Sequence, residues 1–550
     1  RYISVTGVQT CALPIFSAGQ NVLLNCGSVW RESAVFSSST MPANTTVGAY
    51  GTCVNSLPRI SGAADFSQGW TRSGNIWSRS VPAGTPKVSR LFIAGVPHRV
   101  AQWPNYVGKG SEYAKTDAPS TASRTQFVVA AADRAALTGK LTPGAVAQVR
   151  SDPWYVETLT VTSWNSGTGV VTVSGSSTYP MEGGDGYVLQ GQQWMLDAPG
   201  EFFHDTVNNK LYVYPSQSGP LASLNSYLVE GSVRDIALSV SNVPGLVVKG
   251  IAVGQARQVG VLVQDSLGAN ISAAQVVGNG DSGVRLVLHS PPAAGTSGGT
   301  VSGNLVSDNG RFGIDTTYAA SVTISGNTVQ DTGNLAYEGI STAAIKAGDA
   351  NIVSGNRVLR TAYQGIYFSG AGGTQVTGNL ISEYCLRLTD CAGIYTWNGS
   401  TAPLATAGMS STVANNRLLA VTANTEGAVG GGFDLVGGIY LDNFSTGVTL
   451  RNNIVESGPY GIIVHNSSNN VIDQNKVWLS TVASLKLSMD LTGGSDWMSG
   501  NVVSANQLVP ALTATGTYPT LPVAGLSLAV QFSDVISGSA TLSSGSNLFK

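Results

Sequence analysis

Four carboxylates and one histidine stand beside a phrase, Gly-Ile-x-x, that returns through the second half of this 550-residue chain. Asp390 lies four residues before Ile394, Asp434 lies five before Ile439, and Glu338 immediately precedes Gly339-Ile340. Asp442 and His465 each follow the isoleucine of their phrase by three residues. Carboxylates in pairs can divide acid and base work across one bond, and a histidine beside an acid serves as base or orienter. Asp390 and Asp434 would stack across adjacent coils and form the better geometric pair, with Asp434 in a Gly-rich inserted loop. For each acid the alternative is a solvated turn carboxylate, and for His465 a surface histidine.

These residues need a scaffold that repeats. From about Gly299 to Val509 an asparagine returns in a fixed setting: Val301-Ser-Gly-Asn304-Leu-Val, Ile324-Ser-Gly-Asn327, Val353-Ser-Gly-Asn356, Val376-Thr-Gly-Asn379, Val413-Ala-Asn-Asn416, Leu450-Arg-Asn-Asn453, Ile472-Asp-Gln-Asn475 and Met498-Ser-Gly-Asn501. The gaps are 23, 29, 23, 37, 37, 22 and 26 residues, one repeating unit with loops inserted into some copies. Val/Ile/Thr alternation bounded by Gly and Asn predicts an all-β chain, with at least two strands per coil of a solenoid. The asparagines predict a stacked amide ladder that satisfies turn backbone groups, a structural role.

In a parallel coil, side chains alternate in and out, and neighbouring strands lie about 4.8 Å apart. That places Val284, Ile314, Ile366, Ile394, Ile439 and Ile462 in one interior stack. Arg285, Asp315, Tyr367, Tyr395, Tyr440 and Ile463 point outward, with Lys346 and Lys486 assigned to the same column. A second outward column holds Thr317, Ser369, Trp397, Asp442 and His465. The expected surface is a ribbon of aromatics, Tyr367, Tyr395, Trp397 and Tyr440, with an acid and a histidine at one end. Sugar rings stack on such faces.

Composition narrows the class. Charged residues make up 11% of the chain and the net charge is −2, which argues against nucleic acid as a partner. No apolar run reaches transmembrane length. Val5-Thr-Gly-Val-Gln-Thr-Cys-Ala-Leu-Pro-Ile15 looks like the translation of a sequencing-library adapter, so residues 1–16, including Cys11, are set aside. Residues 17–62 read as the first coils, 63–230 as an inserted β-rich domain, 231–510 as the main solenoid and 511–550 as terminal strands or tail. Trp70, Trp77, Trp103, Trp154, Trp164 and Trp194 crowd the insert and are expected to fill its core. Cys26 and Cys53, 27 residues apart, are close to one coil and expected to bridge, and Cys385 and Cys391 bracket a short loop that could close a second disulfide.

Several phrases carry a family resemblance: Ala49-Tyr-Gly51, Trp103-Pro-Asn105, Ala198-Pro-Gly-Glu-Phe-Phe203, Asp390-Cys-Ala-Gly-Ile-Tyr-Thr396 and Gly438-Ile-Tyr-Leu-Asp-Asn443. The chain resembles exported right-handed parallel β-helix proteins that act on carbohydrates, including glycoside hydrolases of families 141 and 120. The resemblance implies a secreted, monomeric hydrolase of a plant or algal cell-wall polysaccharide or its oligosaccharides, with its export signal preceding the sequence in hand. It points to Asp390 and Asp442 as the catalytic acids, with Asp434 and Glu338 as rivals. Lys346, Asp315 and Arg285 join the aromatics as substrate contacts. No cofactor is expected, and no zinc-type ligand spacing occurs; calcium held by turn Asp and Asn oxygens is the one metal such a surface could take. Two other readings compete. A polysaccharide lyase or epimerase would use Lys346 or Arg285 as base on a uronate, and a β-helix adhesin would use the ribbon for binding alone.

Overall fold

The structure is a computed structural model. It describes residues 20–508 except 55, 108–112, 118–121, 217–222, 334–341, 369–371, 400–408, 420, 422, 430–434 and 489–497, and four short strands beyond 508. The chain is a parallel β-helix. One sheet of 14 strands stacks in parallel from Val22–Asn25 to Leu542–Ser543, and a second set of 23 strands wraps the other faces. A full coil gives one strand to the first sheet and two to the second, as Gly299–Ser302, Leu305–Ser307 and Phe312–Tyr318 do.

The interior stack runs in register through Val261, Val284, Ile314, Ile345, Ile366, Ile394, Ile439, Ile462 and Leu485. Every one of these side chains is fully buried. Burying one such side chain contributes about 1.5–3 kcal/mol, so the repeated stack is the main source of cohesion between coils. The glycine of the Gly-Ile phrase gives the coil corner its room: a methyl at Gly438 would collide with Val455 and with the carbonyl of Gly461.

The asparagines form the expected ladder. Asn304 Nδ2 donates to Asn327 Oδ1, and the pattern continues through Asn356, Asn379, Asn416, Asn453 and Asn475. The residue before each ladder asparagine adopts a left-handed conformation, with φ of 62° at Gly303 and 58° at Asn415. That geometry is open to Gly and tolerated by Asn, which explains the Ser-Gly-Asn and Asn-Asn spellings.

One copy corrects the sequence reading. The ladder passes from Asn475 to Asn506, 31 residues on, and not to Asn501. Asn501 precedes the strand Val502–Ser504 and accepts from Asn470 N, in a second stack at another corner. Both asparagines satisfy the phrase, and the register of Val502–Ser504 against Val471–Asp473 decides between them.

Asn416→Ala is expected to show how much the ladder holds. Its Oδ1 accepts from Asn379 N and Nδ2, while its Nδ2 donates to Val376 O and Asn453 Oδ1. Leaving these buried groups unpaired should cost about 3 kcal/mol or more, read as a lowered thermal midpoint. A drop no larger than that of an exposed Asn→Ala control would remove the ladder from the stability account.

Between Ala63 and Ser232 the coil is interrupted by two mainly antiparallel sheets of eight and seven strands. The first strand, Ala63–Asp65, pairs with the last, Val229–Ser232, so the insert leaves and rejoins the helix at one place. The early coils close directly on later ones: Ala34–Ser37 on Ile236–Ser241, Thr46–Tyr50 on Val247–Lys249 and Arg59–Ser61 on Ala252–Gly254. Glu230, buried at this junction, takes hydrogen bonds from Arg31 at 2.9 Å and Arg59 at 2.6 Å. Trp70 and Trp77 fill the insert's core as expected. Trp154 does not; it packs against the core of the β-helix.

Candidate active site

The outward column forms with the registry expected of it: Arg285, Asp315, Lys346, Tyr367, Tyr395, Tyr440, Ile463 and Lys486 are successive strand neighbours. At its centre Tyr367 stacks on Tyr395 at 5.5 Å, and Tyr395 meets Tyr440 edge-on at 5.3 Å.

Asp442, at the end of the strand Val436–Leu441, is the hub of a hydrogen-bond network. Tyr395 Oη donates to its Oδ2 at 2.6 Å, and Asn443 N donates to its Oδ1 at 2.8 Å. His465 Nδ1 lies 3.0 Å from Oδ1, and Asn466 Nδ2 lies 3.0 Å from His465 Nε2. His465 Nδ1 thus faces the Asp442 carboxyl, and Asn466 lies against the other ring nitrogen. The sequence placed His465 beside Asp442, and the structure brings the two side chains into contact.

Asp390 belongs to the same group. It follows Cys385 in a loop closed by the Cys385–Cys391 disulfide and has a left-handed backbone, φ 54°. Tyr363 Oη donates to its carbonyl at 2.8 Å, and the Tyr440 hydroxyl bonds its carboxyl. Asp390 keeps a minority of its surface exposed, yet its Oδ1 is buried and meets no donor among the described residues. Burial first, then the charge of Asp442, raise its carboxyl to about 8, against the lowering effect of His465. The buried hydroxyls of Tyr363, Tyr395 and Tyr440 are pushed up as well, by burial and by these two carboxylates.

The ribbon is not the open platform expected from the sequence. Tyr440 is 1% exposed and Tyr395 8%, because Leu435, Tyr460 and Ile463 pack over them and Leu435 O accepts from Cys391 N. Tyr367 is half-buried, and Trp397 is 38% exposed. Arg285 is held by Asp315 at 3.0 Å and Asp281 at 2.6 Å, while Thr317 Oγ1 donates to Asp315 at 2.7 Å. Lys346 lies between the Phe312 and Tyr367 rings at 5.2 and 5.1 Å, and burial lowers its pKa. Lys486 lies over Tyr460 at 4.9 Å. Asp434, Glu338 and Ser369 lie outside the described residues.

Sequence reasoning missed the contribution of the insert. Arg150, fully buried, donates to Pro153 O at 2.8 Å, Thr389 Oγ1 at 3.3 Å and Glu426 O at 2.6 Å. Thr389 N donates to Pro153 O at 3.1 Å. The turn carrying Asp152 and Trp154 is thereby fastened to the residue before Asp390. Tyr363 was missed too, although a tyrosine three residues before the Ile366 of its phrase was a signal in plain sight.

Both expected disulfides form, Cys26–Cys53 and Cys385–Cys391. A Cys385→Ser/Cys391→Ser double variant should lose about 2–3 kcal/mol of stability at most, because the loop is short. If Asp390 acts on a substrate, the activity lost should exceed what that change explains, since the loop carries it. Unchanged kcat/KM in the folded double variant would show that the bridge does not position the acid.

The model of a family described as periplasmic copper-binding protein (NosD) matches residues 221–426 and 385–509. Together these ranges cover more than half of the chain, and the chain belongs to that family. No curated protein matches it. Similar solved structures include a glycoside hydrolase with 16% identity, covering 88% of this chain and 89% of its own, at a TM-score of 0.65. XylC in complex with xylose has 12% identity, coverage of 96% and 82%, and a TM-score of 0.45. The catalytic unit of a GH87 alpha-1,3-glucanase from Streptomyces thermodiastaticus strain HF3-3 has 12% identity, coverage of 85% and 89%, and a TM-score of 0.29. The first likeness establishes the shared fold, and the other two are too loose to add to it.

Among the described residues, the donor set does not fit the copper of the family description. Copper favours imidazole and sulfur ligands in a cluster. Here the four half-cystines of the described residues are locked in disulfides, and no three His, Cys, Asp or Glu side chains among those residues converge on a metal position. No helix among the described residues is long and apolar enough to cross a membrane.

Proposed function

We propose that this protein is an exported glycoside hydrolase of a plant or algal cell-wall polysaccharide or its oligosaccharides. Asp390 is the general acid and Asp442 the nucleophile or general base. The observation that carries the reading is one network holding two carboxylates in opposite settings. Asp390 keeps its proton up to about pH 8, whereas Asp442 is surrounded by donors: Tyr395, Asn443 and His465. Environments that set two neighbouring carboxyls apart divide acid and base roles across a glycosidic bond. Tyr440, bonded to Asp390 and 3.3 Å from His465, links the two halves. Trp397 and the half-buried Tyr367 are the aromatic contacts for sugar. The end-to-end fold likeness to a glycoside hydrolase agrees with this reading.

The uronate-lyase reading draws on Lys346, whose lowered pKa suits a base. Incubation with a panel of neutral and acidic polysaccharides separates the possibilities. New reducing ends without ultraviolet-absorbing unsaturated products are the expected result. Unsaturated products would replace hydrolysis by elimination, and binding with neither would leave an adhesin.

A further inference from the structure

Two phrases of the family resemblance lie in the insert, away from the network around Asp442. The strand Val96–Val100, which leads into Trp103-Pro-Asn105, pairs in parallel with Glu201–Asp205, which begins inside Ala198–Phe203. Glu201 Oε1 accepts from Gln102 N at 3.3 Å, and Gln102 Nε2 donates to Pro104 O at 3.0 Å. Tyr106 follows directly on Asn105. Two guanidinium groups lie over its ring, Arg99 from the same strand at 3.8 Å and Arg387 at 5.6 Å from the centroid. Arg387 belongs to the loop closed by the Cys385–Cys391 disulfide, three residues before Asp390. The two phrases thus carry a tyrosine of the insert onto the loop of the proposed acid.

A guanidinium is charged at any working pH, and a cation within about 4–6 Å of a carboxyl favours its ionised form. Inside so small a ring, Arg387 is a hazard to an acid that must keep its proton. Its side chain is nevertheless buried and turned to Tyr106, while Asp390 Oδ1 is buried and meets no donor among the described residues. The loop backbone is held separately. Leu386 N donates to Thr361 O at 3.1 Å, Arg387 N donates to Ala362 O at 2.8 Å, and Leu386 O accepts from Asn424 Nδ2 at 3.2 Å. Removing the tyrosine ring would loosen the Arg387 side chain and leave the loop backbone in place.

We propose that Tyr106 is a positioning residue of the site, holding the Arg387 guanidinium against the insert and off the Asp390 carboxyl. Arg99 fixes the ring to the insert, so the docking of the insert sets the charge beside the acid. The consequence for catalysis rests on the hydrolase reading, and the hold on Arg387 does not.

The test uses the full chain with Tyr106→Ala, Tyr106→Phe and the double change Tyr106→Ala/Arg387→Met. Each is compared by thermal unfolding with the same protein carrying Asp390→Asn, over a pH series. The gap between the two midpoints follows the proton of Asp390 without any substrate, and in the parent it widens up to about pH 8. With Tyr106→Ala it should stop widening about 1–3 pH units lower. Tyr106→Phe, which keeps the ring, should match the parent, and Arg387→Met in the Tyr106→Ala background should restore the parent's window. Should Tyr106→Ala not fold, Tyr106→Leu takes its place, filling the site without a ring face. A purely structural tyrosine would lower the midpoint at every pH and leave the window where it was, and that result overturns the proposal. So does a window moved equally by Tyr106→Phe, or one that Arg387→Met fails to restore. The alkaline limb of glycan cleavage should move with the window. A moved window with no glycan cleaved would keep the hold on Arg387 and remove the hydrolase. Cleavage with window and limb both unmoved would keep the hydrolase and remove the proposal.

Discussion

Asp390→Asn is expected to lower kcat/KM on the susceptible glycan by about 10³-fold while making the protein more stable. The two effects share one origin. The carboxyl of Asp390 is raised from 3.8 to about 8 in the folded state. Between about pH 4 and pH 8 the unfolded chain has released this proton and the folded chain still holds it, so stability drains as pH rises through that window. Asparagine carries no such proton. The variant's thermal midpoint should therefore gain on the parent's as pH increases from 4 to 8, with the gap constant beyond. In the parent protein, glycan cleavage that depends on the protonated acid should fall as pH passes about 8. Calorimetry and initial rates over the same pH series check both halves. A variant that loses stability across the window, or that keeps full activity, would show that Asp390 is not the acid.

The second large effect is expected at Arg150, far from Asp390 in sequence. Arg150→Met removes the fork that joins Pro153, Thr389 and the carbonyl of Glu426. Hydrogen bonds from a charged group are worth about 1.5–3 kcal/mol each, and the acceptors left behind are enclosed. A loss of about 4 kcal/mol is expected, with an earlier proteolytic cut between insert and coil. Activity should fall at least tenfold at temperatures where the fold persists, because Thr389 would lose its anchor to the insert. Arg150→Lys should recover little, since a single ammonium cannot reproduce the two-nitrogen fork that reaches three acceptors. Denaturant unfolding and limited proteolysis read this directly, and a change below 1 kcal/mol would detach the insert from the site.

The scaffold was legible because its geometry dictates residue types. A left-handed corner before each ladder asparagine calls for Gly or Asn, and a period of two sends Ile366, Ile394 and Ile439 inward and Tyr367, Tyr395 and Tyr440 outward. That period says which side of the strand a side chain leaves from, and nothing of what lies above it. Tyr395 and Tyr440 point away from the coil interior and are still buried, under Leu435 and Tyr460. Asp390 and Asp442 could be singled out by the phrases around them, and their meeting through Tyr440 and His465 follows from coil stacking. Asp152 and Trp154 could not be found that way. They enter through the docking of a segment more than two hundred residues earlier, and tryptophans that fill one core or another are spelled alike. Asn501 and Asn506 show the same limit at smaller scale, since only strand register tells them apart.

The place where the insert interrupts the coil sets a timetable for synthesis. Val47 pairs with Val248, about 200 residues later. At ribosomal speeds of about 5–20 residues per second, the opening rungs exist for roughly 10–40 s before the strand that closes them has been made. In that interval the segment between Ala63 and Ser232 is complete first, and its two ends pair with each other. The insert thus brings the distant strands Arg59–Ser61 and Ala252–Gly254 within reach, shortening the effective span that the early rungs must close. A slow-folding insert would leave a bare strand edge waiting in the cell, open to neighbouring chains.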